Sequence, residues 1–275
     1  MGFSCEWESH LYFYGGLMHV FFHLGSLTIP AYGFMIASGV IIANIVAMFV
    51  LKKKSLDFND FIILESYCIL GAFIGAKLLY LLVSFEEIDW SNIFNLQYFN
   101  QLMLDGFVFY GGLIGGLIMV YIGGYFHKIK PKEYIINFIF LIPLIHCFGR
   151  IGCFCAGCCY GIPYKGVGAV VFPEGSFAIP NVSLFPVQIV EACLLLLIAI
   201  TILAAQLVFN CNYTVEIYLV MYAITRFILE YYRYDEARGH LGILSTSQWI
   251  SIVMIGAAGI SFFVRKSYFF KARIS

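Results

Sequence analysis

The stretch Phe148-Gly149-Arg150-Ile151-Gly152-Cys153-Phe154-Cys155-Ala156-Gly157-Cys158-Cys159-Tyr160-Gly161 closes a long apolar run and opens a glycine-rich one. It sets an arginine at the end of a membrane-length segment, among glycines, with four cysteines just beyond. An arginine in or beside hydrocarbon costs roughly 2.5–3.5 kcal/mol on insertion scales, so it normally has a partner or a task. Glycine lets the backbone approach a ligand where other residues cannot. The combination points to an arginine-based anion or phosphate site at a membrane surface, with unusual sulfur chemistry beside it.

The rest of the chain agrees with a membrane setting. Of its 275 residues, 61% are hydrophobic and 12% charged, and the mean hydropathy is +0.89. A soluble domain would carry about 25% charge. The class predicted is therefore all-α and polytopic. Aromatic residues make up 18% and suit interfacial belts. The formal net charge is zero, so overall charge selects no partner, and no nucleic-acid partner is expected. No cleavable signal peptide is evident, because Glu6 and Glu8 stand where a basic region would lie.

Seven spans are expected. Residues 9–27, interrupted by His10, His19 and His23, read as an aromatic amphipathic or re-entrant segment. The spans follow at 29–51, 61–83, 107–125, 134–154, 186–209, 213–234 and 247–264. Basic residues cluster at Lys52–Lys54, at 127–132 and in the C-terminal tail, while 84–105 is acidic. The positive-inside rule then puts the N-terminus outside, the C-terminus in the cytoplasm and Arg150 near the outer surface. The chain reads as one membrane-embedded domain, residues 1–275, with an outer loop or cap at about 155–185.

Each candidate residue has a bland reading beside its functional one. Arg150 is either a snorkelling interfacial arginine or a bidentate clamp on a lipid phosphate. Tyr110-Gly111-Gly112 opens a glycine-rich span that serves close helix packing or forms a wall that a headgroup can approach. Arg226, Glu230 and Arg233 share a helix face at i, i+4 and i+7, as an ion-pair ladder or as a second anion clamp. Lys77 snorkels or touches a headgroup. His146, one turn before Arg150, is a core histidine or a general base. Cys153, Cys155, Cys158 and Cys159 bind a soft metal, form disulfides on the oxidising side of the membrane, or pack a turn as small apolar side chains. Cys155, Cys158 and Cys159 would share a face if helical.

These residues resemble, in order and over most of the chain, the bacterial prolipoprotein diacylglyceryl transferases. Gly75-Ala76-Lys77 resembles the family's Gly-Ala-Arg segment, and Phe109-Tyr110-Gly111-Gly112-Leu113 its Phe-His-Gly-Gly-Leu element. Gly149-Arg150-Ile151-Gly152-Cys153-Phe154 is similar to its Gly-Arg-x-Gly-Asn-Phe signature. Phe185-Pro186-Val187-Gln188-Ile189-Val190-Glu191-Ala192 is similar to its His-Pro-x-Gln-x-x-Glu-Ala segment. Tyr222 to Arg233 resembles its Arg-Phe-x-x-Glu helix, and Ser247-Gln248-Trp249-Ile250-Ser251 the opening of its last span.

The resemblance implies a multi-pass enzyme of the bacterial cytoplasmic membrane that needs no cofactor. It would move the diacylglyceryl group of phosphatidylglycerol onto the thiol of a prolipoprotein signal peptide and release glycerol phosphate. Arg150 would bind the lipid phosphate, Arg226 would stabilise charge on the leaving group, and Glu230 would hold the arginine in place. Gly111, Gly112, Gly149, Gly152, Arg233, Lys77 and Gln188 would line the lipid. The family pattern is broken where Tyr110 and Phe185 replace histidines and Cys153 replaces asparagine, so Tyr110 or His146 is expected to stand in as base. Three alternatives remain open: a thiol-redox or metal-handling protein on the same scaffold, a transferase with another acceptor, and a lipid binder without turnover.

Overall fold

Hydrocarbon offers no hydrogen bonds, so an apolar run must satisfy its own backbone, and a helix does this within one segment. The computed structural model of the protein follows that rule; it describes residues 21–24, 27–104, 106–234 and 240–274. Glu6, Glu8, His10 and His19 lie outside the described residues. Where it is described, the segment expected at 9–27 ends in an antiparallel hairpin, β1 (Phe21–Leu24) and β2 (Leu27–Pro30). The helices are α1 (Ala31–Lys54), α2 (Phe58–Val83), α3 (Leu96–Leu104), α4 (Phe109–His127), α5 (Pro131–Phe138) and α6 (Leu141–Ala156). Past a two-residue pair, β3 (Val170–Val171) and β4 (Ser183–Leu184), come α7 (Val187–Leu207) and α8 (Thr214–Leu229). A last pair, β5 (His240–Leu241) and β6 (Leu244–Ser245), precedes α9 (Thr246–Ile274).

Among the described residues, α1, α2, α4, α7 and the Thr246–Ser267 part of α9 are each long and apolar enough to cross a membrane. Helices α5 and α6 together make a sixth, bent by 47°. The chain is therefore a multi-pass membrane protein. The bend follows from Pro143. Its missing N–H cannot bond to the carbonyl four residues back, Ile139, and its ring crowds that carbonyl. The Ile139 carbonyl instead accepts from the Ile142 N–H at 3.2 Å, a tighter turn. The expected sixth span is shorter than predicted: α8 has 16 residues and gives way to a 3₁₀ turn at Glu230–Tyr232.

The chain divides into two compact units, Met1–Ala47 with Ile136–Ser275, and Met48–Ile135. The second unit is built on α2 and α4. A Cβ on Gly75 would run into the Gly111 carbonyl, and one on Gly111 into the Gly75 carbonyl. The two backbones touch there because neither residue has a side chain, which is the packing use of small residues in membranes. Lys77 donates to the carbonyls of Leu102 and Gly106 and lies 4.7 Å from the centre of the Tyr80 ring. It ties the segment after α3 to α2.

The first unit carries the cap. Val170, Phe172, Ala178 and Leu184 form a small apolar cluster, with Phe154, Tyr160 and Val182 against it. Residues 160–164 run between two neighbours. Tyr164 N–H donates to the Ser183 carbonyl at 2.9 Å and Phe185 N–H to the Ile162 carbonyl at 2.9 Å. On the other side Ile162 N–H donates to the Tyr232 carbonyl at 3.0 Å, and Gly161 bridges Arg233. This ribbon brings the chain beyond the cysteines alongside the end of the α8 segment.

Candidate active site

Helix α6 puts His146, Arg150 and Cys153 on one face, at i, i+4 and i+7. Helix α7 presents Gln188 and Glu191, one turn apart and both fully buried. The Arg150 Nε lies 3.0 Å from Glu191 Oε2, and Arg233 Nη1 donates to the same oxygen at 3.4 Å. His146 Nε2 stands 4.0 Å from Glu191 Oε1. One carboxylate therefore organises two arginines and a histidine. A buried charge needs such partners, because leaving water costs several kcal/mol per ion.

The second ion pair is local. Arg226 Nη2 lies 2.7 Å from Glu230 Oε2, one helical turn on, and donates to Ser247 Oγ at 2.9 Å. Arg226 is 5% exposed, and its other terminal nitrogen, Nη1, is buried with no hydrogen-bond partner among the described residues. Ser247 is placed by the start of α9. Ser245 Oγ accepts from the Gln248 N–H at 3.2 Å and Gln248 Oε1 accepts from the Ser245 N–H at 3.0 Å. This reciprocal capping box fixes the first turn that carries Ser247.

The expected row of Arg226, Glu230 and Arg233 is split. The helix ends at Leu229, Glu230–Tyr232 form a 3₁₀ turn, and Arg233 is extended (φ −97°, ψ 146°). Arg233 thus leaves the face of Arg226 and joins Glu191. Pairing of residues 232–234 with 160–162 imposes that change. Glu230 holds Arg226, whereas Glu191 holds Arg150 and Arg233. The imidazole of His146 is within electrostatic reach of Arg150, Glu191, Arg226 and Arg233, and its ring lies 5.7 Å from that of Tyr222. Three guanidiniums against two carboxylates leave the site one positive charge in excess.

The cysteines are positioned by the end of α6. Gly157, at φ +76°, reverses the chain in the left-handed conformation that suits glycine. Its N–H donates to the Phe154 carbonyl at 3.1 Å, and the Cys158 N–H donates to the Cys153 carbonyl at 3.1 Å. In this terminating motif the two residues joined by the longer bond commonly touch through their side chains, and here both are cysteines. Cys159, at φ +57°, turns the chain again. The sulfurs of Cys153, Cys158 and Cys159 all lie within 4.8 Å of one another. Cys155 stands outside that group, since α6 stops at Ala156 and no helix continues to align it with Cys158 and Cys159. Cys153, Cys155, Cys158 and Cys159 are unbridged thiols. Hydrogen bonds from Cys153 and Cys158, then the Arg233 and Arg150 guanidiniums, hold the Cys159 thiol below its ordinary value. Cys158, hydrogen-bonded to both sulfurs, is pushed up.

The first unit brings together Arg150, Glu191, Arg233, His146, Arg226, Glu230, Gln188 and the three cysteines. The Gln188 side chain donates to the Cys158 carbonyl at 3.0 Å. A Cβ added to Gly149 would meet nothing within 4 Å, whereas one on Gly152 would press on Tyr32 at 3.1 Å. Lys77, Tyr110, Gly111 and Gly112 belong to the second unit; Gly111 is buried against α2 and Tyr110 is partly exposed. Glu191 was not singled out by charge pattern, although a carboxylate inside an apolar span is itself a functional signal.

The family profile described as prolipoprotein diacylglyceryl transferase matches residues 19–264. The chain belongs to the prolipoprotein diacylglyceryl transferase family. Among its relatives, the phosphatidylglycerol–prolipoprotein diacylglyceryl transferase of Clostridium tetani is 36% identical over 240 residues, covering 86% of this chain and 93% of that protein. The transferase 2 of Clostridium perfringens is 32% identical over 239 residues, covering 84% and 89%. That of Finegoldia magna is 28% identical over 244 residues, covering 88% and 93%. Arg150, Glu191, Arg226, Glu230 and the three-cysteine group all lie within the segment that matches the transferase family.

Proposed function

We propose that the chain transfers the diacylglyceryl group of phosphatidylglycerol to a thiol, that of a prolipoprotein signal-peptide cysteine, in the bacterial cytoplasmic membrane. The observation that carries this reading is the buried arginine group with one positive charge in excess, in a chain whose relatives bear the transferase name. A phosphodiester headgroup carries a single negative charge, which that excess balances. The acceptor sulfur attacks the glyceryl carbon, the carbon–oxygen bond to phosphate breaks, and glycerol phosphate leaves with the electron pair. Charge gathers on the leaving phosphate, so cations already in place lower the barrier.

Arg150 binds the phosphate and Arg226 meets the charge that develops on it, using the buried Nη1. Glu230 and Ser247 orient Arg226, and Glu191 orients Arg150 and Arg233. Gly149 gives the lipid room, and Gln188 steadies the cysteine turn. Gly152 lets α6 close on Tyr32, while Lys77, Gly111 and Gly112 act within the second unit, through the helices that they build. His146 takes the acceptor proton; full activity in His146→Ala would end that assignment.

The test is a mass shift. Purified protein, phosphatidylglycerol and a lipobox peptide should yield a diacylglyceryl adduct on the peptide cysteine, and Arg150→Ala should not. Retained lipid with no adduct overturns the assignment.

A further inference from the structure

The cysteine turn lies beside the arginine group by two separate routes. Cys153 follows Arg150 by three residues on α6, so the two side chains are neighbours on one face. Cys159 is two residues from Gly161, whose backbone bridges Arg233. Gln188, one turn from Glu191 on α7, holds the Cys158 carbonyl at 3.0 Å. The three sulfurs thus converge next to the groups that take the lipid phosphate. Their geometry is close to a ligand set. A zinc-class ion bonded to thiolates at about 2.3 Å in tetrahedral geometry puts the sulfurs about 3.8 Å apart, against at most 4.8 Å here. Small side-chain rotations close that gap, and the terminating turn of α6 already fixes the backbone that bears two of the ligands.

We propose that Cys153, Cys158 and Cys159 hold a thiophilic divalent cation of the zinc class, and that its open fourth position takes the acceptor thiol. A three-ligand set that leaves one position open is the pattern of catalytic rather than structural zinc. Coordination deprotonates the incoming thiol outright: the S–H bond breaks, the proton passes to His146, and the sulfur keeps the electron pair that attacks the glyceryl carbon. The second part rests on the transferase reading; the metal site does not.

The experiment uses the full chain in detergent, reduced and kept from air, with Co²⁺ as the probe. Thiolate-to-cobalt charge-transfer absorption should rise and saturate at one ion per chain. It should vanish in Cys158→Ser and Cys159→Ser and persist in Cys155→Ser, with the metal-free unfolding temperature of each variant unchanged as the check on folding. A lipobox peptide added without lipid should shift the band, and the same peptide with serine for cysteine should not. No band, or a band that survives in the Cys158→Ser, Cys159→Ser double variant, overturns the site. A band that the peptide leaves unmoved overturns the open position. None of these readouts involves phosphatidylglycerol or turnover, so their failure leaves the transferase assignment standing. Normal spectra with no lipid adduct would remove that assignment alone.

Discussion

Glu191 pairs with two arginines through one oxygen and faces His146 with the other. Replacing it by glutamine keeps the shape but turns an amide toward guanidinium groups that are already out of water. Breaking one partner of a buried ion pair costs about 3–5 kcal/mol, so Glu191→Gln should lower the unfolding temperature in detergent and also cut transfer, because Arg150 and Arg233 lose their common anchor. Arg226→Ala should also lower the unfolding temperature, since it takes from the largely buried Glu230 its ion-pair partner, but its effect on transfer should differ. Removing Arg226 leaves Arg150 and Arg233 to hold the lipid, so Arg226→Ala should lower the rate constant by about 10²–10³, the range for one lost oxyanion donor, with lipid retention nearly unchanged. Initial rates set beside bound phosphatidylglycerol separate the two. Arg150, Arg226 and Glu230 were legible as charges out of place in apolar sequence. The partnership of Glu191 with arginines 41 and 42 residues away along the chain was not, since no local spacing encodes it.

At the scale of elements, α9 begins in a capping box that positions Ser247 against Arg226. Gln248→Ala removes one half of the box. It should cost about 1 kcal/mol of stability and lower transfer through Arg226 without touching Arg226 itself; the loss should fall short of that in Arg226→Ala, and equal losses would mean that Gln248 acts more directly. Helices α2 and α4 meet through Gly75 and Gly111. Gly75→Val must push the backbones apart and should destabilise the protein by about 1–3 kcal/mol, read as a lower unfolding temperature. That contact was visible as a glycine pattern. The break between α5 and α6 was not, because one proline hardly changes the hydropathy of its window, although Pro143 removes the hydrogen bond that would have kept the helix straight. The early end of α8 was hidden for another reason. Glu230-Tyr231-Tyr232 contains neither glycine nor proline, and a tertiary partner, the 160–162 ribbon, draws the chain out of the helix.

For the whole molecule, the number of bilayer crossings turns on α8. Helix α8 has 16 residues, or about 24 Å at 1.5 Å per residue, short of the roughly 30 Å hydrocarbon core. The three residues of the 3₁₀ turn add about 6 Å at 2 Å each, which makes up the difference. Seven crossings then put Lys53 and Lys266 on one side and the cap, with its cysteine group, on the other. Six would carry the basic segment from Arg265 onward to the outer face, against the positive-inside rule. Lys53, Lys165 and Lys266 are all exposed, so cysteine substitutions there report the sidedness of the two turns and the tail. A membrane-impermeant maleimide applied to intact cells should add label to Lys165→Cys over the parent chain. It should add label to Lys53→Cys and Lys266→Cys only after the membrane is opened. Outside labelling at Lys266→Cys as well as at Lys165→Cys, with Lys53→Cys still protected, would mean that α8 does not cross. The reverse pattern at Lys53 and Lys165 would invert the protein and move the arginine group to the cytoplasmic face.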